Sequence, residues 1–313
     1  MGQALGQKPK KEKDKYLKRD IIRHWQLYVL LVLPLIYIII FNYAPMYGLQ
    51  MAFKDYMIRL GYWGSPWVGF KYFQQFISSY YFPRLMKNTI GIAFYGMVVG
   101  FFTPIILAIG LNECRIRFMK KSVQLITYAP HFISTVVITS ILIQLLSNNG
   151  IVNSLIAALG GERISFLGRP GMFSSIYVWS GVWQNTGYSA IIYLAALAGI
   201  DPELQEAAYI DGANIWQRIW HVDIPGIMPT AIILLIMNAG GIISVGFEKV
   251  YLLQNPLNMS ASDVISTYTY RVGLTDMNYS LATAVGLFQS VISFALMIIV
   301  NKISKKVTEV ALW

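Results

Sequence analysis

Six stretches of the chain, residues 25–43, 89–111, 123–146, 173–200, 226–247 and 281–300, are long, mostly apolar and free of Asp, Glu, Lys and Arg. A helix needs roughly 20 apolar residues to cross the hydrocarbon core of a bilayer. The pattern therefore predicts an all-α, polytopic membrane protein with six transmembrane helices. Composition agrees: 56% of the residues are hydrophobic and only 13% charged, where a soluble domain carries about 25% charge. Eight Trp and twenty Tyr suit a chain with two membrane interfaces to anchor. The uncharged windows hold no proton relay or voltage sensor built on intramembrane ionisable groups.

The net charge of +10 is concentrated at the N-terminus, around "KPKKEKDKYLKRD". A basic arm directly before an apolar run reads as a solvated tail that sets topology, not as a nucleic-acid site. The run from Trp25 to Tyr43 exceeds the roughly 7–15 residues of a signal-peptide core, so it is expected to be a retained first span. One cysteine, Cys114, excludes an intrachain disulfide and leaves no Cys-rich metal site.

Orientation follows from Lys and Arg in the connections. Residues 1–24, 112–122, 201–225 and 301–313 hold 16 of them in 73 residues, against 9 in the 104 residues of 44–88, 147–172 and 248–280. The denser set belongs inside, which predicts cytoplasmic N- and C-termini. The organisation expected is a basic arm (1–24) and a six-span domain (25–313) with a cytoplasmic loop at 201–225. The outer connections are long enough for short helices. The aromatic-rich "GYWGSPWVGFKYFQQF" is either belt packing or a docking surface for an extracytoplasmic partner.

The loop at 201–225 is unusual for a mere connector. Asp201 is a suitable helix N-cap, Pro202 fits the first turn and Glu203 complements the helix dipole. The helix should stop at the turn signal Asp211-Gly212. A second short helix, "NIWQRIWH", should follow and close at "DIP". Leu204, Ala207 and Ala208 form an apolar stripe that could simply pack on neighbouring helices. With five acids against one Arg and one His, the pair is a poor DNA reader.

The spacing here resembles the EAA loop, EAA-x3-G-x9-I-x-LP, of permease subunits of binding-protein-dependent ABC importers. The chain has Glu206-Ala207-Ala208, Gly212, then nine residues to Val222, followed by Ile224 and Pro225. Val222 and Ile224 depart from the pattern but stay apolar. The resemblance implies a type I importer fold and a coupling helix seated in a cleft of a cytoplasmic ATPase subunit. Glu206 would meet a basic residue there, Ala207 and Ala208 would permit close approach, and Asp211, Gly212 and Pro225 would shape the turn and its exit.

From Arg23 onward, "YAPMYGLQMAFKDY", "YAPHFIS" and "ATAVGLF" look like the LplB-type carbohydrate permeases, a branch similar to the maltose-permease group. That branch includes subunits linked to polysaccharide and uronate-oligosaccharide uptake, alginate among them. The resemblance implies a second permease subunit, two ATPase subunits that bind ATP and Mg, and an extracytoplasmic solute-binding protein. It implies no cofactor and no catalysis in this chain, and it places the chain in the bacterial cytoplasmic membrane.

Sugar sites use hydroxyl partners and flat apolar faces. "WSGVWQNTGYSAIIY" offers Trp183, Gln184, Asn185 and Tyr188, with Asn185 and Tyr188 on one helix face. In the maltose-type group this part of the span lines the pocket. Asn238 and Gln289 are further candidates for the substrate pathway. Each could instead make an interhelical hydrogen bond, and His131 reads as structural. No span supplies Lys or Arg, so an acidic substrate would need hydroxyls, backbone N–H groups, the outer rim or a partner permease. A secondary carrier for a small neutral solute should show intramembrane ionisable groups or discontinuous helices at related positions of two repeats; neither is evident in the sequence. An importer permease for a non-sugar solute remains the other alternative, and a membrane enzyme lacks any nucleophile–base or metal constellation.

Overall fold

The computed structural model describes residues 23–241 and 245–308. The basic arm expected at 1–24 lies almost wholly outside the described residues. Those residues are nearly all helical, and their one β feature is an isolated bridge between Lys54 and Trp67.

The chain begins with α1 (Trp25–Ile38), which runs on through a π turn (Ile39–Tyr43) and a 3-10 turn (Tyr47–Phe53). Next come α2 (Phe82–Glu113), α3 (Arg117–Tyr128), α4 (Thr135–Leu145) and α5 (Pro170–Ala198). The loop helices α6 (Pro202–Ile210) and α7 (Ile215–Arg218) precede α8 (Ile224–Gly240). The chain continues with α9 (Phe247–Leu253), α10 (Ile265–Tyr270) and α11 (Tyr279–Thr308). Short helices in the long connections, Lys71–Ile77 and Ile151–Ala158 among them, match the expectation for those segments.

Four helices among the described residues are both long and apolar enough to cross a membrane: Trp25–Phe53, Phe82–Glu113, Ile215–Asn238 and Tyr279–Lys306. The other two expected spans differ in kind. The window 123–146 is not one rod: Arg117–Phe132 and Thr135–Leu145 meet at 104°. Pro130 and the extended backbone at Ile133 and Ser134 stop the first helix, and the Ser134 hydroxyl accepts from Val137 N at 3.4 Å to start the second. The single continuous span expected over 123–146 is thus broken in two. The window 173–200 lies on α5, whose 29 residues reach about 44 Å, but whose polar middle lowers its apolarity.

The loop also departs from expectation at "DIP". The second helix does not close there; it passes through a π turn, Ile219–Asp223, straight into α8. Pro225 has no N–H to give the preceding turn, and the wide turn upstream accommodates it. The same spacing recurs at the end of α1, where the π turn Ile39–Tyr43 precedes Pro45.

Three apolar clusters hold the bundle. One joins Ala52, Tyr72, Phe76 and Leu85 to Ile265, Tyr268 and Val285. Another joins Ile92 of α2 and Phe173 of α5 to Val250 and Val264. At the opposite end, Ala108, Ala190, Tyr193 and Ile227 tie α2, α5 and α8 together. A Cβ at Gly187 would lie 2.1 Å from Thr127 O, so only glycine lets α5 lie so close to α3. Buried Asp263 is held by Arg84 at 3.2 Å and Arg271 at 3.0 Å, which pins α10 to the start of α2.

Candidate functional site

The loop is built from local signals. Asp201 accepts from Glu203 N at 3.0 Å and caps α6. At its other end Ala213 N donates to Ala208 O and Gly212 N to Tyr209 O, the paired bonds of a Schellman ending. That ending needs a left-handed residue, and Gly212 supplies it at φ +76°. Asn214 and Gln217 then bond reciprocally, Gln217 N to Asn214 Oδ1 and Asn214 N to Gln217 Oε1, a capping box for α7.

The apolar stripe of α6 is only partly covered within this chain, with Ala208 half-buried. Glu206, Ala207 and Leu204 are exposed, as are Tyr209 (73%) and Trp216 (76%). Glu206, Tyr209 and Ile210 line one shallow groove, and Ala208, Asp211 and Gly212 line another. A rigid, doubly capped helix thus presents small residues, a carboxylate and aromatic rings outward. Pro225 stands apart from these grooves, in the first turn of α8.

Two contacts that the sequence reading missed tie this surface to the bundle. Gln205 Nε2 donates to Asp223 Oδ1 at 2.7 Å, and Arg218 pairs with Glu113 at 3.4 Å. Asp223 and Glu113 stand at the feet of α8 and α2. Asp223 Oδ2 is buried with no partner among the described residues. Both contacts join residues far apart in sequence, and spacing alone gives no sign of them.

A second region lies between α2, α5, α8 and α9. One cavity of about 280 Å³ is lined by Gly96 and Gly100 of α2, Tyr177, Gln184 and Asn185 of α5, and Lys249 of α9. A neighbouring one of about 300 Å³ shares Gly96, Gly100 and Tyr177 and adds Asn238. Gly96 and Gly100 sit one turn apart on α2, and a Cβ at Gly100 would meet nothing. At Gly96 a Cβ would meet only Val178, at 3.8 Å.

The polar run of α5 is tied to the break between α3 and α4. Gln184 Nε2 donates to Ile133 O at 3.2 Å, which satisfies a carbonyl in the non-helical turn. Asn185 Oδ1 lies 3.1 Å from His131 Nδ1, and Asn185 Nδ2 donates to Gly181 O. The His131 ring stacks on Tyr188 with centroids 3.9 Å apart and planes 4° from parallel. Of the sequence candidates, Gln184 and Asn185 line one cavity and Asn238 the other. Trp183, Tyr188 and Gln289 line neither; Trp183 and Tyr188 face outward. His131 and Lys249 were not singled out as site residues.

Residues 100–309 match the family model described as "binding-protein-dependent transport system inner membrane component". The chain is 44% identical to protein LplB of Bacillus subtilis over 93% of its own length and 90% of that protein's. It is 40% identical to the polygalacturonan/rhamnogalacturonan transport system permease protein YteP of the same organism, over 96% and 94%. Among solved structures, a chain of a bacterial ABC transporter involved in the import of the acidic polysaccharide alginate matches with a TM-score of 0.87 at 40% identity. The match covers 94% of this chain and 99% of that one. A chain of the alginate transporter in complex with an alginate pentasaccharide-bound periplasmic protein gives the same score at 39% identity.

Proposed function

We propose, since this chain belongs to the family of binding-protein-dependent transport system inner membrane components and has the type I ABC permease fold, that it is a permease subunit of an oligosaccharide importer. It pairs with a second permease to form the pathway. Two cytoplasmic ATPase subunits bind ATP and Mg, and an extracytoplasmic binding protein delivers the sugar. The named activities of its relatives, pectic polysaccharide transport and alginate import, support uronate oligosaccharides as the substrate class. In this reading the chain performs no chemistry itself, lies in the cytoplasmic membrane with both termini inside, and binds no nucleic acid.

The observation that carries the reading is the capped helix α6, outward-facing and wired to α8 through Gln205 and Asp223. Glu206, Ala207 and Ala208 receive the ATPase surface, and Asp211 and Gly212 fix the turn. A displacement of α6 then reaches α8 through one hydrogen bond and the continuous π turn ahead of Pro225. Gln184, Asn185 and Asn238 border the sugar pathway, with Trp183, Tyr188 and Gln289 on its periphery.

The test is ATP-dependent sugar uptake by the complete importer in proteoliposomes. A Glu206→Arg variant should insert and assemble but lose sugar-stimulated hydrolysis and uptake. Wild-type rates from that variant would remove the coupling role from α6.

A further inference from the structure

The six apolar windows contain no cation, yet the fold brings one to the cavity. Lys249 sits on α9, in a connecting segment, and is only 7% exposed. Its Nζ donates to Tyr177 O at 3.1 Å and lies 5.1 Å from the centroid of the Tyr177 ring. It lines the same cavity as Gln184 and Asn185. A Cβ at Gly181 would fall 3.5 Å from Nζ, so the bare glycine leaves the ammonium room at the wall.

Burying an ammonium costs several kcal/mol unless an opposite charge or a full set of acceptors compensates it. Elsewhere the chain does compensate: Asp263 has two arginines. Among the described residues no carboxylate lies within 4.0 Å of Lys249. The ammonium has three N–H donors, and Tyr177 O takes one. Lys54 is also buried, but it lies over Trp67 and lines neither cavity.

We propose that Lys249 receives a substrate carboxylate in the translocation pathway and so selects acidic over neutral oligosaccharides. The inference rests on the importer reading above and adds the residue that confers charge selectivity. Asn185 and Gln184, on the same cavity wall, are placed for the hydroxyls of the sugar whose carboxylate meets Nζ. A lysine suits a pathway better than a bidentate arginine clamp would, because a point charge on a flexible stem holds without fixing geometry. Each uronate unit can engage it and move on.

The test uses the complete importer in proteoliposomes with radiolabelled tri- to pentasaccharides of alginate and of polygalacturonan. Their carboxyl-reduced counterparts, equal in length and neutral, are the controls. Lys249→Met should lower uptake of the acidic sugars by about tenfold or more, the loss expected for a charged hydrogen bond. Neutral uptake should fall far less than acidic uptake, and Lys249→Arg should retain the preference for acid. Equal loss of both sugar classes in the Met and Arg variants would make Lys249 structural and overturn the proposal, as would undiminished acidic uptake by the Met variant. Wild-type uptake of the neutral sugars alone would overturn this inference only, whereas ATP-dependent uptake of neither class would overturn the importer reading with it.

Discussion

Gln205 Nε2 and Asp223 Oδ1 stand 2.7 Å apart across 18 residues of sequence. The bond joins the middle of α6 to the foot of α8, and Asp223 accepts it while otherwise buried and unpartnered at Oδ2. A hydrogen bond to a charged group contributes about 1.5–3 kcal/mol. Gln205→Leu should therefore leave the Glu206 surface in place and loosen its hold on the span. The expected result is ATPase hydrolysis that persists while sugar molecules carried per ATP fall several-fold. An unchanged transport-to-hydrolysis ratio would assign transmission to the Arg218–Glu113 pair instead.

Asn185 and Tyr188 both engage His131, one by hydrogen bond and one by stacking. Replacing both by alanine should cut uptake strongly without preventing assembly, since neither is buried. Uptake assays alongside size-exclusion profiles of the complex separate the two effects. Wild-type uptake by the double variant would remove this face of α5 from the pathway.

Two glycines should respond in opposite ways to one added methyl group. Gly187→Ala drives a Cβ toward Thr127 O, and such overpacking costs about 1–3 kcal/mol. The thermal unfolding temperature of the complex should drop. Gly100→Ala meets open space and should leave unfolding unchanged, while narrowing a cavity that the importer reading assigns to the sugar. Equal stability losses at the two sites would show that α2 and α5 do not pack as described.

Burial pushes the Lys249 ammonium down from 10.5 to about 8. Its neighbours do not reverse this: α4 packs on α9 with no ionisable side chain, α10 contributes Tyr268 and Tyr270, and α5 contributes Tyr177. Uptake of acidic oligosaccharides should thus be steady to about pH 7 and fall as the pH rises through about 8, with the carboxyl-reduced sugars unaffected. The linkage to stability has the opposite sign. Between pH 8 and 10.5 the unfolded chain holds a proton that the folded one has released, so stability rises with pH there. Lys249→Met should flatten both profiles.

What the sequence disclosed depended on the range of the cause. The ends of α6 were legible because Asp201, Pro202 and the Asp211-Gly212 pair act on backbone groups within a few residues. The break between α3 and α4 has local signals too, Pro130 and Ser134, but an apolarity window over 123–146 averages them away. "DIP" misled because proline stops a regular α turn, whereas here a π turn precedes it and the helix continues. Lys249 and the Gln205–Asp223 bond were hidden for a different reason. Both depend on how distant segments fold back, which no spacing rule encodes.

The first helix shows what kind of object the chain is. None of the most apolar window of Trp25–Phe53 is buried, and the segment meets its own bundle chiefly where Ala52 enters the cluster with Leu281 and Val285. Within this chain no residue of Trp25–Ile38 is buried against a neighbouring helix. Sequence drift should therefore be cheap over residues 25–38, where one greasy residue serves as well as another, and costly at Ala52, where a single methylene has nowhere to go. The helix should tolerate a change of identity where it is free and resist one where it is tied.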